Sequence, residues 1–148
     1  MSDKVHIKVP ELMQPMEAEM FRLKYPMENA ETTIAYGNEE GTVTLLISPR
    51  QDKAAQHDLP KYQKMLQKSF GKNPSIDVKK NEIKKINGRD FILIEMVTPA
   101  RDTRVYNWIF VTNSGGRLLM GTFNCTVNLV NEWQSLAEQI LSSVKVKE

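Results

Sequence analysis

The chain has 148 residues, of which 41% are hydrophobic and 26% are charged, as in a single globular domain that needs no metal or disulfide to build its core. Its net charge of +2 and its single cysteine, Cys125, exclude a polycation and an internal disulfide. No apolar run approaches the ~20 residues of a membrane-spanning helix, and the first residues lack the apolar core of a secretion signal. We therefore expect a cytoplasmic protein, or a periplasmic protein or lipoprotein if an export signal was removed.

The N-terminal region combines prolines with methionines. Residues 1–18 are predicted to form an arm or leader strand ahead of one domain at residues 19–148. Met13, Met16 and Met20 are candidate partner-binding residues, because methionine side chains adapt to varied apolar surfaces. The alternative is that these methionines simply fill the core.

The first elements of the domain are predicted to be strands. Apolar and basic residues alternate over residues 21–25, which indicates a half-buried strand that ends at Pro26. Residues 32–36 and 42–48 are rich in β-forming residues on either side of a turn, and Pro49 is expected to end the second of them. Together these segments predict a meander.

Two segments change to helical spacing. Apolar residues predict a helix at about 54–70, with Asp58 as its N-cap and Gly71 as a left-handed stop. A second helix is expected to start near Asn128 and to bury a continuous stripe that includes Trp133.

Four strands are predicted between these helices, at residues 76–86, 91–98, 105–112 and 118–127. Asn87-Gly88 joins the first pair in a tight hairpin. The turn Asn113-Ser114-Gly115-Gly116 joins the second pair, and it leads into a strand rather than a helix, which favours a hairpin over a phosphate-binding loop. The order of strands, helix, two hairpins and helix predicts an α+β fold, with helices flanking a twisted antiparallel sheet as an α/β/α sandwich.

Several motifs in this order resemble the PsbP-like/DcrB-like superfamily: Tyr25-Pro26, Ile86-Asn87-Gly88, Val105-Tyr106-Asn107-Trp108 and Thr122-Phe123-Asn124-Cys125. The resemblance covers residues 19–145. The superfamily includes the PsbP proteins of photosystem II, the Ran-binding Mog protein of fungi, DcrB-like bacterial lipoproteins and the Eag chaperones of type VI secretion. It implies a PsbP-like sandwich in a bacterial protein, and one specific form of the resemblance is a relationship to the Eag chaperones. The tryptophan that often follows the Tyr-Pro motif is absent here, and no family ligand residue matches a position of this chain.

Charged residues supply the remaining candidates for binding. Lys61, Lys64 and Lys68 share the outer face of the first predicted long helix and would attract an acidic partner, unless they only solvate that face. No aromatic residues interleave with them at base-stacking positions, so nucleic acid is not expected. Arg101 and Arg104 lie near Tyr106, in a loop that would suit a small anion.

No catalytic, cofactor-binding or metal-binding residue is predicted. Cys125 is expected to be a buried thiol, and His57-Asp58 reads as a helix start rather than a catalytic dyad. Glu95 interrupts an apolar strand and is expected to meet Arg104 or Arg117, or to serve as a polar anchor in a groove.

These observations predict a non-enzymatic binding or adaptor protein, and the resemblance implies one version in which it is a chaperone for apolar segments of a secreted protein. One alternative is a small-anion-binding protein or enzyme at the Arg101–Tyr106 loop. Another is an envelope or photosynthetic assembly factor, if a signal peptide was removed. We expect a protein partner, no nucleic acid, no membrane span and no cofactor, and an exposed edge strand would permit a homodimer.

Overall fold

A seven-stranded antiparallel sheet forms the centre of the structure, a computed structural model that describes residues 5–11, 13–28, 33–100 and 102–146. In spatial order its strands are β2 (Gln14–Pro15), β3 (Ile34–Gly37), β4 (Val43–Lys53), β8 (Arg117–Thr126), β7 (Arg104–Ser114), β6 (Arg89–Pro99) and β5 (Asp77–Ile86). The strands β1 (Val5–His6) and β9 (Lys145–Val146) form a separate two-stranded ladder. Three helices are described: α1 (Ala18–Lys24), α2 (Leu59–Gly71) and α3 (Val130–Ser142).

Helices cover both faces of this sheet, because apolar side chains alternate to either side along its central strands. On one face, Phe91 and Phe123 pack with Trp133 of α3. On the other face, Ile92 and Ile109 pack in the core cluster that contains Leu59 of α2. The α+β class and the α/β/α sandwich predicted from the sequence are confirmed.

Both predicted hairpins turn where expected. Asn87 and Gly88 have φ values of 50° and 82°, and Gly115 and Gly116 have values of 60° and 78°. Positive φ at both central positions is the geometry that matches the twist of two strands joined by two residues. Gly115-Gly116 therefore forms the turn of a hairpin and not a phosphate-binding loop.

The strand predicted at residues 21–25 is wrong, because this segment belongs to α1. Phe21 and Tyr25 are four residues apart, so a helix brings their rings together, with centroids 5.9 Å apart. Leu23 then lies on the exposed side. Most residues of α1 are also strong helix formers, which the alternating pattern concealed.

Three predicted boundaries also differ. Strand β4 continues past Pro49 to Lys53 across a register shift, an irregularity of the kind where a sheet tolerates proline. Gly71 lies inside α2 and does not adopt positive φ. Asp58 is the N-cap residue of α2, as predicted, but its carboxylate accepts a hydrogen bond from the Ala55 N–H at 2.9 Å in the preceding 3-10 turn rather than from α2.

Asn128 lies in a second 3-10 turn, Val127–Leu129, and α3 begins only at Val130. The predicted apolar stripe of this helix is buried nonetheless, through Trp133, Ala137 and Ile140.

The N-terminal segment packs against the domain, and α1 begins at Ala18, the last residue of the predicted arm. Val5 pairs with Val146 in the β1–β9 ladder, and β2 pairs with β3 at the sheet edge. Met13 is only 3% exposed and belongs to the core cluster beneath α3. Burial removes Met13 from the predicted methionine surface, since a partner cannot reach it.

Candidate functional site

Two concave regions lie at opposite edges of the sheet. The α1 pocket lies at the β2–β3 edge and encloses about 470 Å³. The α3 groove lies between α3 and the outermost strand β5 and has the same volume, about 470 Å³. Each is within the size range of a small-ligand site, but the two differ in charge and in how firmly their walls are built.

The α1 pocket is lined by Met16, Met20, Lys24, Gly37 and Thr44, among others. Two of the three predicted methionines therefore face one cavity.

Three contacts hold α1 beside this pocket. The Phe21 side chain is buried, and the Tyr25 hydroxyl donates a hydrogen bond to Thr44 Oγ1 at 3.3 Å. The Lys24 ammonium donates to the Gly41 carbonyl at 3.0 Å. Burial lowers the pKa of Lys24, since losing water disfavours the charged form.

Three apolar side chains of α1 and the turn after it stand out into solvent, and one of them, Met20, lines the α1 pocket. Met20 is 43% exposed, Leu23 is 79% exposed and Met27 is 95% exposed. The pocket also has an acidic rim made of Glu11, Glu17 and Glu39, all exposed. The α1 region therefore combines adaptable apolar side chains with negative charge.

The α3 groove is lined by Lys80, Lys84, Leu93, Glu95, Trp108 and Leu141, among others. Its strands and helix are joined at one end by Asn87, whose amide donates to the carbonyls of Ser142 and Val144 at 3.0 and 2.9 Å. The hairpin residue that turns β5 into β6 thus also fixes the C-terminal end of α3.

Glu95 takes partners other than those predicted from the sequence. Its Oε1 accepts a hydrogen bond from the Tyr106 hydroxyl at 2.7 Å, and its Oε2 lies 3.7 Å from Lys80 Nζ. Glu95 pairs with Lys80 rather than with Arg104 or Arg117, because strand register places Lys80 directly opposite it on β5. The second expectation, a polar anchor in a groove, describes where Glu95 lies.

This arrangement shifts the pKa values of two neighbours of Glu95. Burial and the hydrogen bond to Glu95 raise the pKa of Tyr106 well above its ordinary value, so this phenol stays protonated as a donor. Burial lowers the pKa of Lys80, but the carboxylates of Glu82 and Glu95 outweigh that effect and hold the pKa above its ordinary value.

Trp108 contributes an unsatisfied donor to the wall of the α3 groove. The side chain is 6% exposed, and its indole N–H has no hydrogen-bond acceptor within the described part of the chain. Its ring packs between Tyr106 and Phe123, with centroids at 4.5 and 5.5 Å. A buried N–H without an acceptor costs about 1–3 kcal/mol, which makes this atom worth explaining.

The other predicted binding residues do not join these two regions. Lys61, Lys64 and Lys68 are exposed on α2, and Lys61 Nζ lies 5.4 Å from the centre of the Tyr62 ring. Arg104 is exposed, and it lines neither the pocket nor the groove described above. Arg101 lies outside the described residues.

Cys125 is fully buried, and burial raises the pKa of its thiol to about 11. Over residues 5–11, 13–28, 33–100 and 102–146, no group of three His, Cys, Asp or Glu side chains is placed to hold a metal ion. Within the same ranges, no helix has the length and hydropathy that crossing a membrane requires.

Sequence reasoning found part of each region. The methionines signalled the α1 pocket, and Glu95 in its apolar strand signalled the α3 groove. It missed Trp108 and Leu141, because both read as ordinary core residues until the fold brings β7 and α3 beside β5.

Solved structures share this fold. The cyanobacterial PsbP protein CyanoP of Synechocystis sp. PCC 6803 matches with a TM-score of 0.63 and 12% identity, over 97% of this chain and 87% of that one. LpqN of Mycobacterium tuberculosis, involved in cell envelope biogenesis, matches with a TM-score of 0.62 and 10% identity, over 97% and 83%. The Ran-binding protein Mog1p of Saccharomyces cerevisiae matches with a TM-score of 0.60 and 8% identity, over 97% and 90%.

No protein-family model and no curated protein sequence matches this chain. The fold is therefore PsbP-like, as the sequence resemblance implied, and identities this low carry the fold and not the function.

Proposed function

We propose that this protein is a non-enzymatic adaptor or chaperone that binds an apolar segment of a partner protein at the α1 pocket. One observation carries the proposal: Met20, Leu23 and Met27 are exposed along α1 and the turn that follows it, and Met20 lines the cavity together with Met16. Scattered exposed apolar residues need no explanation, but a cluster next to a pocket is typical of an interaction surface. Methionine and leucine suit partners of varied shape.

The charge around the pocket limits which peptide segments would bind there. Glu11, Glu17 and Glu39 line it, whereas its lysine, Lys24, donates to a backbone carbonyl. We expect the bound segment to be apolar in the middle and to carry lysine or arginine at its ends, because complementary charge steers association and fixes register.

Mog1p, which shares this fold, is described as a Ran-binding protein, and this supports a role in protein recognition. The compartment proposed from the sequence is the cytoplasm. The alternative of anion binding near Arg104 gains no support, since the Tyr106 hydroxyl beside it is already engaged by the Glu95 carboxylate.

The test compares two exposed methionines. A fluorescein-labelled leucine-rich peptide with two lysines at each end would be titrated with wild-type protein, Met20→Glu and Met65→Glu, and followed by fluorescence anisotropy. Met65 is a matched control, because it is 55% exposed but lies on α2, away from the pocket. We expect Met20→Glu to weaken binding at least ~10-fold, since it places a charge in an apolar contact, and Met65→Glu to change it less than ~2-fold.

Equal affinity for all three proteins would overturn the proposal, as would equal weakening by both variants. Point variants are preferred to removing the N-terminal 20 residues, because that deletion would also strip Met13 from the core and destroy α1.

A further inference from the structure

We infer that the α3 groove is a second binding site, which takes a small molecule that joins an aliphatic chain to a carboxylate. This inference goes beyond the proposed function, because the groove lies at the opposite edge of the sheet from the α1 pocket and shares none of its lining residues.

The size and the apolar part of the groove fit such a molecule. Its volume is about 470 Å³. Leu93 and Trp108 line the groove from the sheet, and Leu141 lines it from α3. An aliphatic chain placed against these side chains would lose contact with water, which favours binding in proportion to the apolar surface buried.

The charges favour an anion over a cation. Three lysines and two glutamates line the groove. Glu95 accepts from Tyr106 and lies 3.7 Å from Lys80 Nζ, which also lies 3.4 Å from Glu82. Lys84 has no ion-pair partner among the residues that the structure describes, although it stands on the same face of β5 as Lys80. A carboxylate would give Lys84 the partner that the protein does not supply.

The wall of the groove also holds an unsatisfied donor. The Trp108 indole N–H lacks an acceptor in the described structure, and this side chain lines the groove. This N–H has almost no accessible surface, so a ligand oxygen would recover the cost of the unpaired donor only if the neighbouring side chains shift. The unpaired Lys84 ammonium is therefore the main reason to prefer a carboxylate over a purely apolar ligand.

Sodium decanoate is the probe, and 1-decanol is its neutral counterpart. Trp133→Phe would serve as the background, so that Trp108 is the remaining tryptophan and its emission reports the groove. Below its micelle concentration, decanoate should change this emission along a saturable curve, with at least ~5-fold higher affinity than decanol. Raising the salt concentration should weaken decanoate and leave decanol unchanged.

Lys84→Met should reduce decanoate affinity about 3-fold or more and bring it toward that of decanol. Lys64→Met is the matched control: it removes the same charge from an exposed lysine on α2 and should have no effect. Equal affinities for decanoate and decanol, or equal effects of the two lysine variants, would overturn the inference. Met20→Glu should leave decanoate binding intact, which keeps this test separate from that of the α1 pocket.

If Trp133→Phe lowers the melting temperature too far for titration, isothermal calorimetry with the wild-type protein gives the same comparison. Absence of measurable heat with decanoate at any concentration below its micelle point would contradict the site.

Discussion

The two edges of the sheet differ in how firmly the residues that line their concave regions are buried. At the β5 edge, the groove is walled by residues that also belong to the core, including Leu93 and Trp108. At the β2–β3 edge, the pocket is walled by partly or fully exposed side chains such as Met16 and Met20. We therefore expect the groove to be as rigid as the core. Substitutions of the exposed residues that line the pocket should disturb the fold less.

Element length explains this contrast. Strands β5 and β6 have 10 and 11 residues and pair along their lengths, apart from one register shift. Strands β2 and β3 have two and four residues, and the seven residues of α1 bury one side chain, Phe21. Stability is unevenly distributed in proteins, and regions with few buried contacts open most easily.

The largest effect should come from Trp133→Ala, which tests whether the groove depends on the core. Trp133 is buried under α3, and its ring centre lies 5.9 Å from that of Phe123. Loss of this side chain should lower the free energy of unfolding by about 3–5 kcal/mol, measured by urea denaturation. Decanoate binding should weaken as well, while peptide binding by the remaining folded protein should not. A loss below ~1 kcal/mol would show that α3 is not anchored to the core.

A smaller effect is expected from Tyr106→Phe, which probes the polar network beside the groove. Loss of the hydrogen bond to Glu95 should cost about 1 kcal/mol near neutral pH. The folded-state pKa of Tyr106 lies above its ordinary value of 10.0, so the folded protein keeps a proton that the unfolded chain loses. The stabilisation is therefore present below pH 10 and is lost as the pH rises above it.

Urea denaturation at pH 8 and pH 11 checks this prediction. The free energy of unfolding of the wild-type protein should fall more between these two pH values than that of Tyr106→Phe. Circular dichroism at pH 8 should show that both proteins are folded. Parallel losses in the two proteins would contradict the assigned pKa shift.

The smallest effect on stability should come from Leu23→Ser, at the other edge. Leu23 is exposed on α1, so its replacement should change the free energy of unfolding by less than about 0.5 kcal/mol. Peptide affinity should fall nonetheless, because the cluster with Met20 and Met27 would be broken. A large loss of stability would mean that Leu23 is a structural residue and that the exposed cluster is not free for a partner.

The features that the sequence predicts correctly are those that depend on residues close together in the chain. Asn87-Gly88 and Gly115-Gly116 mark their hairpins because few other residue pairs adopt positive φ at both positions. The buried stripe of α3 followed from helical spacing over a long segment. The prediction at α1 is wrong because two patterns overlap there. The alternation of Phe21, Leu23 and Tyr25 fits a strand, whereas the spacing of four between Phe21 and Tyr25 fits the helix that forms.

The candidate sites depended on tertiary structure to a greater extent. The partner of Glu95 is Lys80, fifteen positions earlier, and strand register rather than any local signal selects it over Arg104. Met13 looked the same as Met16 in the sequence, yet one lies in the core and the other faces the α1 pocket. Only the packing of the N-terminal segment separates the two.

The most direct test of two chemically different binding regions is a pair of nuclear magnetic resonance titrations on one ¹⁵N-labelled sample. The lysine-flanked leucine peptide should shift backbone amides in residues 14–28 and 36–44, around the α1 pocket. Decanoate should instead shift amides in residues 80–95, 106–109 and 138–144, around the α3 groove. Shifts of the same amides by both ligands, or no peptide-induced shift in α1, would contradict the account.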